Sequence, residues 1–119
     1  FDFTYDKRLT DRLAADDILG IKAHLLADKS YQLKSVRFLE NHDEQRAVMK
    51  LGKFKSLAAA VLTGTVYGMK FYYDGQFEGK KVKLPVQLVR EPAEKISNTV
   101  KKYYEDYINV ISEVIKQSK

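Results

Sequence analysis

Ser35-Val36-Arg37-Phe38-Leu39 runs into Glu40-Asn41-His42-Asp43-Glu44-Gln45-Arg46, and this junction decides how the chain reads. The first five residues alternate in the β-branched and aromatic manner of a strand. The next seven are all polar, so the strand stops abruptly and delivers an imidazole, carboxylates and a guanidinium to one place.

The segments on either side fix what kind of strand this is. Upstream, Phe1-Asp2-Phe3-Thr4-Tyr5 alternates aromatic and polar residues, predicting a strand. Asp6 or Thr10 caps a short helical turn through Leu13. Asp16 to Leu33 carries Ile18, Ile21, Leu25 and Leu26 at helical spacing, with Asp16 and Asp17 at the positive end of the helix dipole. Downstream, an alanine-rich helix is expected from near Lys53 to Thr63, its small side chains allowing close approach to a sheet. Met69-Lys70-Phe71-Tyr72-Tyr73 is expected as a third strand closed by Asp74-Gly75. An extended piece over Val82 to Val89, interrupted by Pro85, leads to a last helix from about Ala93 to Gln117. Ile96, Val100, Tyr103, Tyr104, Tyr107, Ile111 and Val114 keep its period, so the tyrosines are expected to pack on the sheet.

Strand and helix therefore alternate three times, which predicts an α/β fold with parallel strands joined by right-handed crossovers. In such folds chemistry gathers at the carboxyl ends of the strands, and residues 40–46 occupy one of those ends. Two architectures remain open to periodicity: a free-standing three-stranded sandwich, or part of an eight-stranded barrel of about 250 residues.

Composition narrows the functional classes. With 45% hydrophobic and 31% charged residues the 119-residue chain reads as one globular unit. The absence of cysteine excludes disulfides, thiolate metal sites and a thiol nucleophile. The two histidines have no ligand-spaced partners, so no metal and no cofactor are expected. No apolar run approaches the roughly 20 residues of a membrane helix. Phe1 opens inside a strand-like segment without a leader pattern, so the chain is expected to be a cut piece, with a lean to the cytoplasm. The net charge of +5 is spread over separate lysine groups, and only Phe77 to Lys83 interleaves aromatic and basic residues. A solvated basic surface is the expectation, ahead of a nucleic-acid site.

Phe38-Leu39-Glu40-Asn41-His42-Asp43 resembles the motif ending the seventh barrel strand of the α-amylase family of glycoside hydrolases. Phe1-Asp2-Phe3 looks like that family's sixth strand, with Tyr5-Asp6-Lys7-Arg8-Leu9 like the start of the helix after it. Gly68-Met69-Lys70-Phe71-Tyr72-Tyr73-Asp74-Gly75-Gln76 is similar to its eighth strand. The likeness spans nearly the whole chain. It departs at Met69, where a proline usually follows the glycine, and at the acidic residue expected soon after Gly75, which is displaced to Glu78. Gln76 and Glu78 receive no role from it.

The resemblance implies the C-terminal part of a (β/α)8 TIM barrel, its sixth to eighth units, from a retaining hydrolase or transglycosylase acting on α-glucans. Asp43 is the implied transition-state-stabilising carboxylate, and His42 a substrate-binding residue. Arg46 stands beside them, open to pairing with Asp43, with a sugar hydroxyl or with Glu44. Glu40 is read as structural and His24 as a surface or packing residue. The nucleophile and the acid/base belong to earlier strands, so the chain by itself is expected to be inactive and, with sheet surfaces uncovered, to form a homo-oligomer. The rival expectations are a small α/β binding module whose basic loop meets nucleic acid or an acidic partner, and a barrel that binds glucan without cleaving it.

Overall fold

Tyr5, Val36 and Met69 lie side by side on three parallel strands, β1 (Thr4–Tyr5), β2 (Ser35–Arg37) and β3 (Met69–Lys70), with β2 in the middle. The computed structural model describes residues 2–84, 90 and 92–117. Phe1 and most of the extended piece expected over Val82–Val89, with Pro85, lie outside the described residues. Between and after the strands come α1 (Lys7–Ala14), α2 (Ile18–Leu25), α3 (Lys29–Leu33), α4 (Ala47–Leu51), α5 (Lys53–Thr65) and α6 (Asn98–Gln117). The expected α/β alternation and parallel pairing are present.

The elements begin and end where local chemistry requires. Asp6 leaves β1 and caps α1, its carboxylate accepting the Leu9 N–H at 3.2 Å. The single helix expected over Asp16–Leu33 is two. Asp17 caps α2 through the Gly20 N–H at 2.9 Å, and Asp28 takes the Ser30 N–H at 2.8 Å to start α3 afresh. A side chain competing for backbone donors ends a helix locally; Ile21 and Leu25 pack on the core, but Ile18, Leu19 and Leu26 are exposed. α4 was not expected at all, because Gly52, at φ 80°, separates it from α5. The last helix starts at Asn98 rather than near Ala93. Glu94 accepts the Lys81 N–H at 2.8 Å and Ser97 donates its backbone N–H to Glu78 at 2.9 Å, which commits 94–97 to the neighbouring loop.

Strand pairing is shorter than the sequence pattern suggests, yet its direction continues: Phe71 donates to the Arg37 carbonyl at 2.9 Å and Asp6 to that of Val36 at 3.0 Å. Side chains alternate across a strand, so Ser35, Arg37 and Leu39 point one way and Val36 and Phe38 the other. The Leu39 side meets every long helix. Leu9 and Leu13 of α1, Leu57 and Ala60 of α5, and Val100, Tyr104, Tyr107 and Ile111 of α6 form one core with it. Ala59 and Ala60 admit α6 rather than the sheet. Tyr107 donates to the Ala60 carbonyl at 2.9 Å and Tyr103 to that of Leu57 at 3.1 Å, while Tyr104 meets Gln76 and Phe77 in the segment after β3.

The opposite face carries no helix from this core. Tyr5 stands edge-on to Phe38 at 5.5 Å and to Phe71 at 5.8 Å. Phe3, Tyr5 and Met69 are 49%, 54% and 49% exposed on this face, while Val36 and Phe38 between them are buried. Gly68 sets the entry to β3. At φ 115° it lies so close to β2 that a β-carbon would come within 3.0 Å of the Ser35 and Gln32 carbonyls, so only glycine fits.

Candidate functional site

Beyond Arg37 the backbone of β2 runs on through Phe38, Leu39 and Glu40, all buried. Thr10 of α1 fixes this exit by donating to the Phe38 carbonyl at 2.8 Å. Asn41, also buried, then turns the chain: its side-chain oxygen accepts the N–H groups of Asp43 at 2.9 Å and Glu44 at 3.0 Å. This is an Asx-type turn, and it presents the next two side chains outward. His42 Nε2 lies 3.2 Å from Asp43 Oδ2, with the side chains 57% and 74% exposed. The expected pair therefore stands free at the carboxyl end of the central strand, and Lys83 donates to the Asp43 carbonyl at 2.6 Å from the following loop.

Arg46 is placed otherwise than expected. It pairs with neither Asp43 nor Glu44, and it is not open to a ligand: its guanidinium is 2% exposed and donates to Glu40 Oε1 at 2.7 Å. It also donates to the carbonyls of Asp74 at 2.6 Å and Val82 at 3.1 Å, and lies 4.9 Å from the Tyr73 ring centroid. Glu40 Oε2 accepts the Ala47 N–H at 2.6 Å. Burial pushes the Glu40 carboxyl up, while the Ala47 N–H and Arg46 oppose that shift. The pair braces the loop from beneath, joining the end of β2 to α4 and to the segment after β3. Glu40 is structural, as read, through Arg46 and Ala47 rather than a neighbouring strand. Gln76 is buried as well and donates to the Tyr104 hydroxyl at 3.0 Å, whereas Glu44 bonds outward to Lys7 at 3.1 Å and Lys50 at 3.5 Å.

A second polar cluster was missed. Asp6, His24, Gln32 and Arg37 are all buried behind the helix side of the sheet. His24 Nε2 is 2.7 Å from Asp6 Oδ2, and Arg37 donates to the same carboxylate, to the Gln32 side chain and, at 2.9 Å, to the Tyr67 carbonyl. Gln32 Nε2 donates to the His24 carbonyl at 2.6 Å. The signal was present in Arg37, a charge at a core-facing strand position that demands a buried anion. His24 is thus a packing residue held in a polar network.

Burial, then the charges of Arg12 and Arg8, depress the His24 imidazole below its usual 6.5. The folded chain then holds fewer protons on His24 than the unfolded chain, so this stabilisation is full above pH 6.5 and is lost as pH falls towards the lower folded value. Urea titrations at pH 7.5 and 5.0 should show the native chain losing stability on acidification and His24→Gln losing less; parallel losses would remove His24 from the effect.

Among the described residues no three of His, Cys, Asp or Glu gather as a metal site, and no helix is long and apolar enough to cross a membrane. No family model, curated protein or solved structure matches the chain.

Proposed function

We propose that the chain forms the sixth to eighth units of an α-amylase-like (β/α)8 barrel, acting on α-glucans by retaining hydrolysis or transfer. One observation carries the reading: a solvent-exposed histidine–aspartate pair leaves the carboxyl end of the middle strand of a parallel sheet whose core helices, among the described residues, lie on the Leu39 face. In a barrel of this class the inner strand faces pack against one another and the loops at the carboxyl ends hold the chemistry. Phe3, Tyr5, Phe38, Met69 and Phe71 have the apolar, layered character such an interior uses, and the open edges of β1 and β3 are where further strands would pair.

On this reading Asp43 is the anion set beside the positively charged, distorted sugar ring of the transition state, and His42 hydrogen-bonds the same sugar. Arg46 acts beneath them as support through Glu40. Two further carboxylates, a nucleophile and an acid/base, are required. Asp6 and Glu40 do not serve, because each is buried against an arginine. Those groups come from the barrel's other strands. The purified 119-residue chain is therefore expected to release no sugar from maltooligosaccharides, and measurable turnover that copurifies with it defeats the proposal.

The exposed Phe3, Tyr5 and Met69 have a consequence in solution. Apolar surface of this kind associates, so multi-angle light scattering is expected to show a homo-oligomer at micromolar concentration, shifting to monomer when Tyr5 and Met69 are both made Lys. A clean native monomer at every concentration contradicts it. The basic-module alternative rests on the loop at Phe77–Lys83; outside that loop Lys7, Lys50, Lys55, Lys102 and Lys116 are each paired with a carboxylate.

A further inference from the structure

At the other end of the sheet, where helices lead into strands, lies a cavity of about 610 Å³. This is the size of pockets that hold small organic ligands. Leu33 at the end of α3, Tyr67 before β3, and Val114 and Ile115 near the end of α6 give it apolar walls, and Lys29 and Lys70 are its charged members. Among the described residues none that lines it is acidic.

Lys70 is the polar anchor of this cavity. It is half-buried, and its ammonium donates to the Val66 carbonyl, which closes the end of α5. An ammonium has three donors, and among the described residues the Val66 carbonyl is the one acceptor it reaches. Its cross-strand neighbour is Arg37, and Arg37 is itself bound to Asp6. The row Asp6–Arg37–Lys70 thus holds two cations against one anion, a local excess of positive charge under apolar walls. Burial first, and Arg37 second, bring the Lys70 ammonium down to about 8. At neutral pH it is still mostly charged, and among the described residues it has no carboxylate partner. Lys29, lying 5.1 Å from the Tyr67 ring centroid, is a second cation of the lining.

We propose that this cavity binds a small amphiphilic carboxylate, with its apolar chain along Leu33, Tyr67, Val114 and Ile115 and its carboxylate on the Lys70 ammonium. The anion supplies the missing charge of the row, and the chain covers walls that water wets poorly. A neutral alcohol of equal length gains only the second contribution. A carboxylate beside Lys70 favours the ammonium form, so affinity declines as pH rises past about 8. The site lies at the rim opposite Asp43 and stands whether or not the glycosidase reading holds.

Isothermal titration calorimetry with octanoate and octanol tests this directly. At pH 7 octanoate is expected to saturate one site per chain and bind roughly ten-fold more tightly than octanol, the scale of one charge-assisted hydrogen bond. Lys70→Met should remove that advantage and Lys70→Arg should keep most of it. Should Lys70→Met fail to fold, the native chain carries the test by itself, because octanoate affinity must fall between pH 7 and 9.5 while octanol affinity stays level. Absence of saturable octanoate binding, equal affinity for acid and alcohol, a flat pH series or full binding by Lys70→Met each overturns the proposal.

Discussion

Asp43→Asn, made in a barrel that contains this segment, is expected to lower kcat by roughly 10²–10³-fold, the scale seen when one preorganised electrostatic partner of a transition state is removed. The substitution keeps the shape of the side chain and deletes its charge. Charge is what matters to a sugar ring that becomes cationic only at the transition state, so kcat and kcat/KM should fall together. Stability should barely move. The Asp43 side chain is 74% exposed, and its neighbour His42 Nε2 lies 3.2 Å away. Surface changes of that kind are usually within about 0.5 kcal/mol. The turn itself is held by Asn41, whose oxygen takes the Asp43 and Glu44 N–H groups irrespective of the residue 43 side chain. A melting curve that superimposes on the parent, with turnover lost, is the expected pair of results. Turnover near that of the parent takes Asp43 out of the mechanism.

Much of this arrangement was legible in the sequence because it depends on short-range patterns. Period-2 alternation at Ser35–Leu39 ending in seven polar residues placed His42 and Asp43 at a strand end, and the structure has them there. The parallel order followed from alternation alone. What escaped was what depends on contacts distant in sequence. Arg46 looked available to Asp43 or Glu44 because they are near neighbours along the chain. Its partners are instead Glu40, which strand geometry turns back under the loop, and carbonyls at Asp74 and Val82. His24 looked like an ordinary helix residue because nothing nearby in sequence announces Asp6, 18 positions earlier. The break before α3 has a different origin: helical spacing registers apolar residues, but Ile18 and Leu26 face solvent and leave Asp28 free to start a new helix.

The largest stability effect is expected at Arg37. Its guanidinium is fully buried and joins three elements: Asp6 at the exit of β1, Gln32 on α3, and the Tyr67 carbonyl at the entry to β3. Arg37→Ala leaves the buried Asp6 carboxylate with the His24 imidazole and the Leu9 N–H as its partners among the described residues, and it strands the Gln32 and Tyr67 oxygens. Removing one member of a buried ion pair typically destabilises by about 3–5 kcal/mol, against a total stability of about 5–15 kcal/mol for a domain. Arg37→Ala should therefore unfold at a far lower urea midpoint or fail to fold. The double replacement Asp6→Asn with Arg37→Met separates charge from packing. It removes the orphaned anion and fills the arginine's volume, so it should recover a substantial part of the loss even though both native groups are gone. If instead the two changes simply add, the buried pair is not what joins β1, β2 and β3, and the cohesion of the sheet rests on the Leu39 core alone.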